Sequence, residues 1–355
     1  MEHRPPLLDG LIAKMVTTPR LTTRVIFGGP DEGEPVVLVH GNTATARAFE
    51  ELMIAFPPRY RTIALDLRGY GRAETKPIDA TRGLRDFSDD LAALVQTLGL
   101  PKPHLVGWSL GGNVVIQYAI DYPDALSSLT LIAAGSPYGF GGTRDNVGTP
   151  TTLDFAGSGG GLVSQEFLKR LQAGDRSEES PFSPRNVMNA SWYKPPFRSP
   201  REDIFLDEML LTARGPDNYP GDFAQVASWP RVGPGMRGVS NTLSPKYCNQ
   251  QALADINPRP SILWVRGLDD QIVADRSLRD IAVLGEMGLF PDWPGPEVFP
   301  PQPMVSQLRA VLDRYVTNGG RYQEVIIEDC GHSPHIEKPE VFNMAFFAFL
   351  KQVSD

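Results

Sequence analysis

Val106-Gly107-Trp108-Ser109-Leu110-Gly111-Gly112 sets a serine at the centre of a G-x-S-x-G frame. His104-Leu105-Val106 reads as the end of a buried strand, and the run from Gly111 to Tyr118 as the start of a helix packed close on it. In that context the frame is a sharp strand-to-helix turn with the serine at its tight point. Gly107 and Gly111 remove the Cβ atoms that would collide with the neighbouring strand and helix. The turn lifts the Ser109 hydroxyl above the end of a sheet, beside helix-start N–H groups that favour a negative oxygen. A glycine-bounded turn with an inert serine has the same five letters, and only the flanks argue against it.

Working outward, Leu21–Phe27, Pro35–Val39, Thr62–Asp66, Ser128–Ala133, Ser261–Val265 and Tyr322–Glu328 read as strands. Helical spacing marks Thr81–Leu98, with Gly99 as its C-cap, and Val305–Tyr315 and Pro339–Val353. Continuous apolar strands alternating with helices mean an α/β fold with a mostly parallel sheet covered on both faces. In such sheets the loops at the carboxyl ends of strands carry the chemistry. His40-Gly41, Asp66, Ser109 and Ala134-Gly135 all fall at that edge. The rhythm breaks at Gly135 and returns only at Ser261. Residues 136–258 therefore read as an inserted cap, with helices over Leu162–Leu171 and Ile204–Thr212, between core segments 1–135 and 259–355. A second, proline-rich excursion runs from Met287 to Pro303.

Composition narrows the function classes. A net charge of −8 and the lack of a basic stripe argue against a nucleic-acid partner. Residues 1–20 lack a secretory pattern, and no stretch of about 18 apolar residues would span a membrane. The 2 cysteines, Cys248 and Cys330, read as free thiols in a reducing compartment, so a cytoplasmic location is the expectation. The partner expected is a small-molecule substrate; a homodimer stays open.

A serine hydroxyl needs a base within hydrogen-bond reach, and the base needs an orienting carboxylate. Only 5 histidines are available. His3 is in the tail, His104 begins the elbow strand, and His40 ends an inner strand, where it suits a structural role. His332, in Asp329-Cys330-Gly331-His332-Ser333, follows the last strand and is the chosen base; His335 is the reserve. Val265-Arg266-Gly267-Leu268-Asp269-Asp270 ends the strand after the insertion. Asp270 is the chosen carboxylate and Asp269 the reserve. Backbone N–H groups of Asn42 and Leu110 are the candidate oxyanion hole. The histidines lack metal-ligand spacing, so neither metal nor cofactor is expected. Trp108, Tyr138, Trp192, Tyr193 and Trp229 are candidates for the wall of an apolar substrate pocket.

Together, Val39-His40-Gly41, Asp66-Leu67-Arg68-Gly69-Tyr70-Gly71, the Ser109 elbow, Gly267-Leu268-Asp269-Asp270 and Gly331-His332 resemble the α/β-hydrolase superfamily, in its capped esterase, lactonase and haloperoxidase-like branches. The resemblance covers residues 20–135 and 259–353 and implies the chain order Ser109, Asp270, His332. Epoxide hydrolases and haloalkane dehalogenases use aspartate at the elbow, so Ser109 sets them aside, although His40-Gly41-Asn42 looks like the dehalogenase oxyanion loop. The excursion at 287–303 lengthens the Asp270–His332 interval beyond the family norm. The expectation is a serine hydrolase of esters or lactones of medium-to-bulky, mostly apolar molecules. Three alternatives use the same frame: a carbon–carbon bond hydrolase of diketone-type substrates, a perhydrolase side activity with peroxide in place of water, and a non-catalytic small-molecule receptor.

Overall fold

A computed structural model describes residues 5–355, so His3 lies outside the described residues. Eight strands form one sheet: β1 (Ile12–Thr17), β2 (Thr22–Gly28), β3 (Glu34–Val39), β4 (Tyr60–Leu65), β5 (His104–Trp108), β6 (Ser128–Ile132), β7 (Ser261–Gly267) and β8 (Tyr322–Ile327). Their order is β1-β2-β4-β3-β5-β6-β7-β8. The first two pairings, β1 with β2 and β2 with β4, are antiparallel, and every later pairing is parallel. The inner strands are apolar throughout because both their faces are covered. Val36, Val37, Leu38 and Val39 are fully buried, as are Leu105 and Val106 of β5.

Helices supply the two outer layers. α1 (Glu50–Ala55) precedes β4, α2 (Arg85–Thr97) precedes β5, and α3 (Leu110–Asp121) follows it. The sequence reading ran α2 back to Thr81. A short 3-10 turn at Ala80–Arg82 takes that place, and Gly83, at φ 63°, separates it from the helix. Gly99 closes α2 at φ 62° with its N–H on Gln96 O. β1 and the helix Pro184–Trp192 have no counterpart in the sequence reading. β1 has only exposed or half-buried positions, so it offers no apolar run to read.

The stretch between β6 and β7 carries α4 (Gln165–Ala173), α5 (Pro184–Trp192), α6 (Glu202–Met209) and two small ribbons. Its apolar residues do not form a separate core. Met188, Trp192, Phe205, Leu206 and Met209 belong to the same buried cluster as Val39, Trp108 and Leu110. The proline-rich excursion leans on this stretch as well, since Phe299 packs with Trp293 against Leu162 and Trp229. After it come α7 (Met304–Thr317) and α8 (Pro339–Ser354). α8 buries Phe342, Phe346, Phe349 and Leu350, an i, i+4, i+7, i+8 stripe. Among the described residues no helix is long and apolar enough to cross a membrane.

Charged groups add a second tie between sheet and insertion. Arg24 of β2 lies 2.8 Å from Asp66 and also pairs with Glu208 of α6. Thr45 Oγ1 donates to Glu208 at 2.9 Å, and the Asp66 carboxylate accepts from the N–H groups of Ala46 and Arg72, each at 2.9 Å. Arg201, just before α6, reaches Glu50 of α1 at 2.6 Å. Arg24, Asp66, Glu208 and Glu50 are all buried. Removing one partner of such a set leaves the others desolvated and uncompensated. Glu208→Ala is therefore expected to lower unfolding free energy by roughly 3–5 kcal/mol in urea melts. Glu178→Ala, at an exposed pair with Arg198, should leave the midpoint in place. Equal melts for the two variants would refute the assignment.

Candidate active site

The elbow is as tight as its glycines require. Ser109 sits between β5 and α3 at φ 55°, ψ −120°, and its N–H donates to Ile132 O at 2.9 Å. A Cβ on Gly107 would lie 2.2 Å from Gly111 O, and one on Gly111 would lie 2.1 Å from Val39 O. Neither contact leaves room for a side chain, so α3 rides directly on the sheet. Ser109 is not the only non-glycine residue forced to positive φ at this edge. Thr43 after β3, Ala133 after β6 and Asp329 after β8 have φ 55°, 43° and 50°. Each such residue costs roughly 1–3 kcal/mol and persists only where its surroundings hold it, which is characteristic of functional edges.

His332 and Asp270 meet at this edge. Asp270 Oδ2 lies 2.7 Å from His332 Nδ1, with both side chains almost fully buried. The other carboxylate oxygen accepts from the N–H groups of Ile272 and Val273 at 2.8 and 3.0 Å. Asp270 thus closes its own turn and holds the imidazole at once. Asp269 points elsewhere, to Lys194 Nζ at 2.9 Å. The elbow and the histidine loop are joined directly, because Trp108 Nε1 donates to His332 O at 2.9 Å. With Nδ1 committed to Asp270, Nε2 is the nitrogen left for Ser109. Among the described residues no hydrogen bond joins the two, a contact that in ligand-free sites often tightens only when substrate binds.

The loop after β3 is set by His40. Leu67 N–H donates to His40 Nε2 at 2.9 Å, so the ring proton is on Nδ1, which donates to Gly41 O at 2.8 Å. In a trans peptide the C=O and the following N–H point in opposite directions. Fixing the Gly41 carbonyl therefore fixes the direction of the Asn42 N–H. Gly41 backs onto the elbow closely enough that a Cβ there would lie 3.0 Å from Ser109 Cβ. Neither the Asn42 nor the Leu110 N–H donates to another group among the described residues. Tyr70, quoted in the sequence but given no role there, donates its O–H to Asn42 Oδ1 at 2.6 Å and packs edge-on to His40. Glu337 was also missed. It accepts from Gly331 N–H and Lys194 N–H, each at 2.8 Å, and so holds the histidine loop against the insertion.

His335 is buried beside this arrangement. Its ring centroid lies 5.2 Å from that of Phe49 and 5.1 Å from that of Trp108. Neither ring nitrogen has a hydrogen-bond partner among the described residues. Cys248 and Cys330 are separate buried thiols. Of the proposed pocket residues, Trp192 packs edge-on to Trp108 at 4.9 Å and adjoins Tyr193 at 6.3 Å. Trp229 is not brought to this group; it packs edge-on to Phe299 at 4.9 Å. Tyr138 is buried against Gly148, where an added Cβ would fall 2.2 Å from its ring. An open hollow of about 440 Å³ on α4, lined by Glu166, Arg170 and Asp175, shares no residue with the site.

Sheet order, elbow and carboxyl-edge site together define the class. The family model of the alpha/beta hydrolase fold matches residues 34–293, and the chain belongs to that family. Over 124 residues it is 36% identical to 2-(acetamidomethylene)succinate hydrolase of Mesorhizobium japonicum, covering 35% of this chain and 43% of that one. Over 204 residues it is 26% identical to an uncharacterized carboxylesterase of Bacillus subtilis, covering 55% of this chain and 64% of that one. The matches thus span about half the length of these curated relatives. Among solved structures, carboxylesterase CesB from Bacillus subtilis superposes with a TM-score of 0.58 at 15% identity, over 97% of this chain and 93% of that one. That likeness is one of fold.

Two buried histidines make stability depend on pH. Burial pushes the His40 imidazole down to about 4, and burial with the neighbouring His332 pushes that of His335 down to about 3. Both stay neutral in the folded chain while the unfolded chain takes up protons from about pH 6.5 downward. Stability therefore falls with pH through that window, by up to about 1.4 kcal/mol per pH unit for each group, ending near pH 4 for His40 and pH 3 for His335. His335→Phe is expected to flatten the decline between pH 6 and 4 in urea melts; an unchanged slope would show that His335 titrates normally.

Proposed function

We propose that this chain is a serine hydrolase that cleaves a carboxylic ester or lactone through an acyl-enzyme. The observation that carries the reading is the buried Asp270–His332 pair, tied through Trp108 to the elbow that presents Ser109. His332 Nε2 takes the Ser109 proton as Oγ attacks the carbonyl carbon. The N–H groups of Asn42 and Leu110 hold the oxyanion, each contributing roughly 3 kcal/mol in the transition state. As the tetrahedral species collapses, the carbonyl re-forms, the C–O bond to the leaving group breaks, and the proton on Nε2 passes to the departing oxygen. Water then attacks the acyl carbon and gives its proton to Nε2. Collapse breaks the ester bond to Ser109, returns that proton to Oγ and frees the acid. Asp270 keeps the imidazole oriented and offsets its charge. Residues 136–258 act in this reading as the cap, with Trp192 and Tyr193 bounding the acyl or alcohol side of the site.

Ser109→Ala should lower p-nitrophenyl ester hydrolysis by at least about 1,000-fold with the fold intact. Activity within tenfold of the parent would remove Ser109 from the mechanism. A fluorophosphonate probe should label Ser109, as read by peptide mass spectrometry. Asp270→Asn should cost about 1,000- to 10,000-fold, far more than Asp269→Asn; the reverse order would move the carboxylate role to Asp269.

A further inference from the structure

The arginines near the site are almost all committed. Arg24, Arg47, Arg68 and Arg201 each pair with a carboxylate. Arg279 does not. Among the described residues it has no acidic partner, and its side chain makes one hydrogen bond, from Nη2 to Ser191 Oγ. It remains accessible to solvent. Burial nonetheless moves its pKa down, whereas the shifted arginines that do hold carboxylates all move up.

Two connections place Arg279 beside the site. Leu278 N–H donates to Gln271 O at 3.0 Å, which folds the chain back so that Arg279 emerges beside the turn of Asp270. Ser191 directly precedes Trp192, whose ring packs on Trp108, the neighbour of Ser109. The turn of Asp270 and the segment that carries Trp192 to Trp108 thus both adjoin Arg279.

We propose that Arg279 is the recognition site for a carboxylate carried by the substrate, so that the site takes an ester or lactone of a molecule with an apolar body and an acidic end. The inference rests on the hydrolase reading for the bond cleaved, but not for the anion bound. A guanidinium presents five N–H donors in a planar fork suited to a carboxylate, and only one is engaged here. The chain carries a net charge of −8, which repels an anion at long range, but that repulsion is screened beyond about 8 Å at physiological salt. A local unpaired cation then decides whether an acidic end is accepted.

The test compares mono-4-nitrophenyl glutarate with 4-nitrophenyl pentanoate, an anionic and a neutral ester of similar length. Arg279→Met is expected to lower the kcat/KM ratio of the anionic to the neutral ester by about 10- to 100-fold, mainly through KM. Arg279→Lys should keep part of the ratio. Arg276→Met, which removes an exposed arginine paired with Glu286, should keep all of it. A ratio in Arg279→Met within twofold of the parent would overturn the proposal. A second arm uses calorimetry on the Ser109→Ala protein with 4-phenylbutyrate and 4-phenylbutanamide. The carboxylate should bind at least about tenfold more tightly than the amide, and the preference should vanish in Ser109→Ala/Arg279→Met. If the parent cleaves neither ester but this preference holds, the hydrolase reading falls and the anion site stands. Equal binding of acid and amide removes the anion site whatever the esters do.

Discussion

A serine held at positive φ between a strand and a helix that touch is the constraint on which the rest of this structure depends. The Ser109 backbone is unfavourable on its own, and it survives because β5 and α3 leave no space for another path. Gly107 and Gly111 permit backbone-to-backbone contact, and the Ser109 N–H is tied to the neighbouring strand at Ile132. Relaxing the turn would require lifting α3 from the sheet and exposing Val114, Val115 and Ile116, all fully buried. The energy that holds the turn is therefore that of the whole core. The same logic applies to Thr43, Ala133 and Asp329, which put three more loops into strained conformations along one edge.

Around that edge, polar groups are used to aim backbone rather than to add bulk stability. His40 spends both ring nitrogens on one carbonyl and one N–H, and so orients the Gly41–Asn42 peptide. Asp270 divides its oxygens between its own turn and the His332 ring. Glu337 receives two backbone N–H groups, one from the histidine loop and one from the insertion. These bonds are directional and short-ranged. Each converts the general position set by apolar packing into a defined orientation, because a hydrogen bond weakens steeply off its axis.

The insertion is bound to the sheet by two different forces. Its apolar side chains continue the main core, and its buried charges at Glu208 and Arg201 answer Arg24 and Glu50 beneath. Packing alone would let α6 slide over a smooth surface. A buried ion pair tolerates no such slip, because a displaced charge would be left desolvated. That register carries Trp192 to Trp108 and Ser191 to Arg279, so contacts beside the elbow follow from charges distant from it.

Local pattern determined much of this protein. The elbow, the strand ends and the glycine before His332 are written in consecutive residues, because strand-to-helix turns impose their steric demands within a few positions. Seven of the eight strands are legible, six of them because a buried strand is a short apolar run and β8 by its alternation. The edge strand β1, with no buried face, has no such mark. What tertiary structure decided are the matters that compare residues far apart in the chain. Asp269 and Asp270 are equivalent neighbours until the fold turns one toward His332 and the other toward Lys194. Trp229 and Trp192 are both aromatic residues of the insertion, and only packing sends one to Phe299 and the other to Trp108. Arg24 with Glu208, and Arg279 with no acidic partner among the described residues, leave no trace in spacing, since a charge's partner is chosen by distance in space, while composition and periodicity register only distance along the chain.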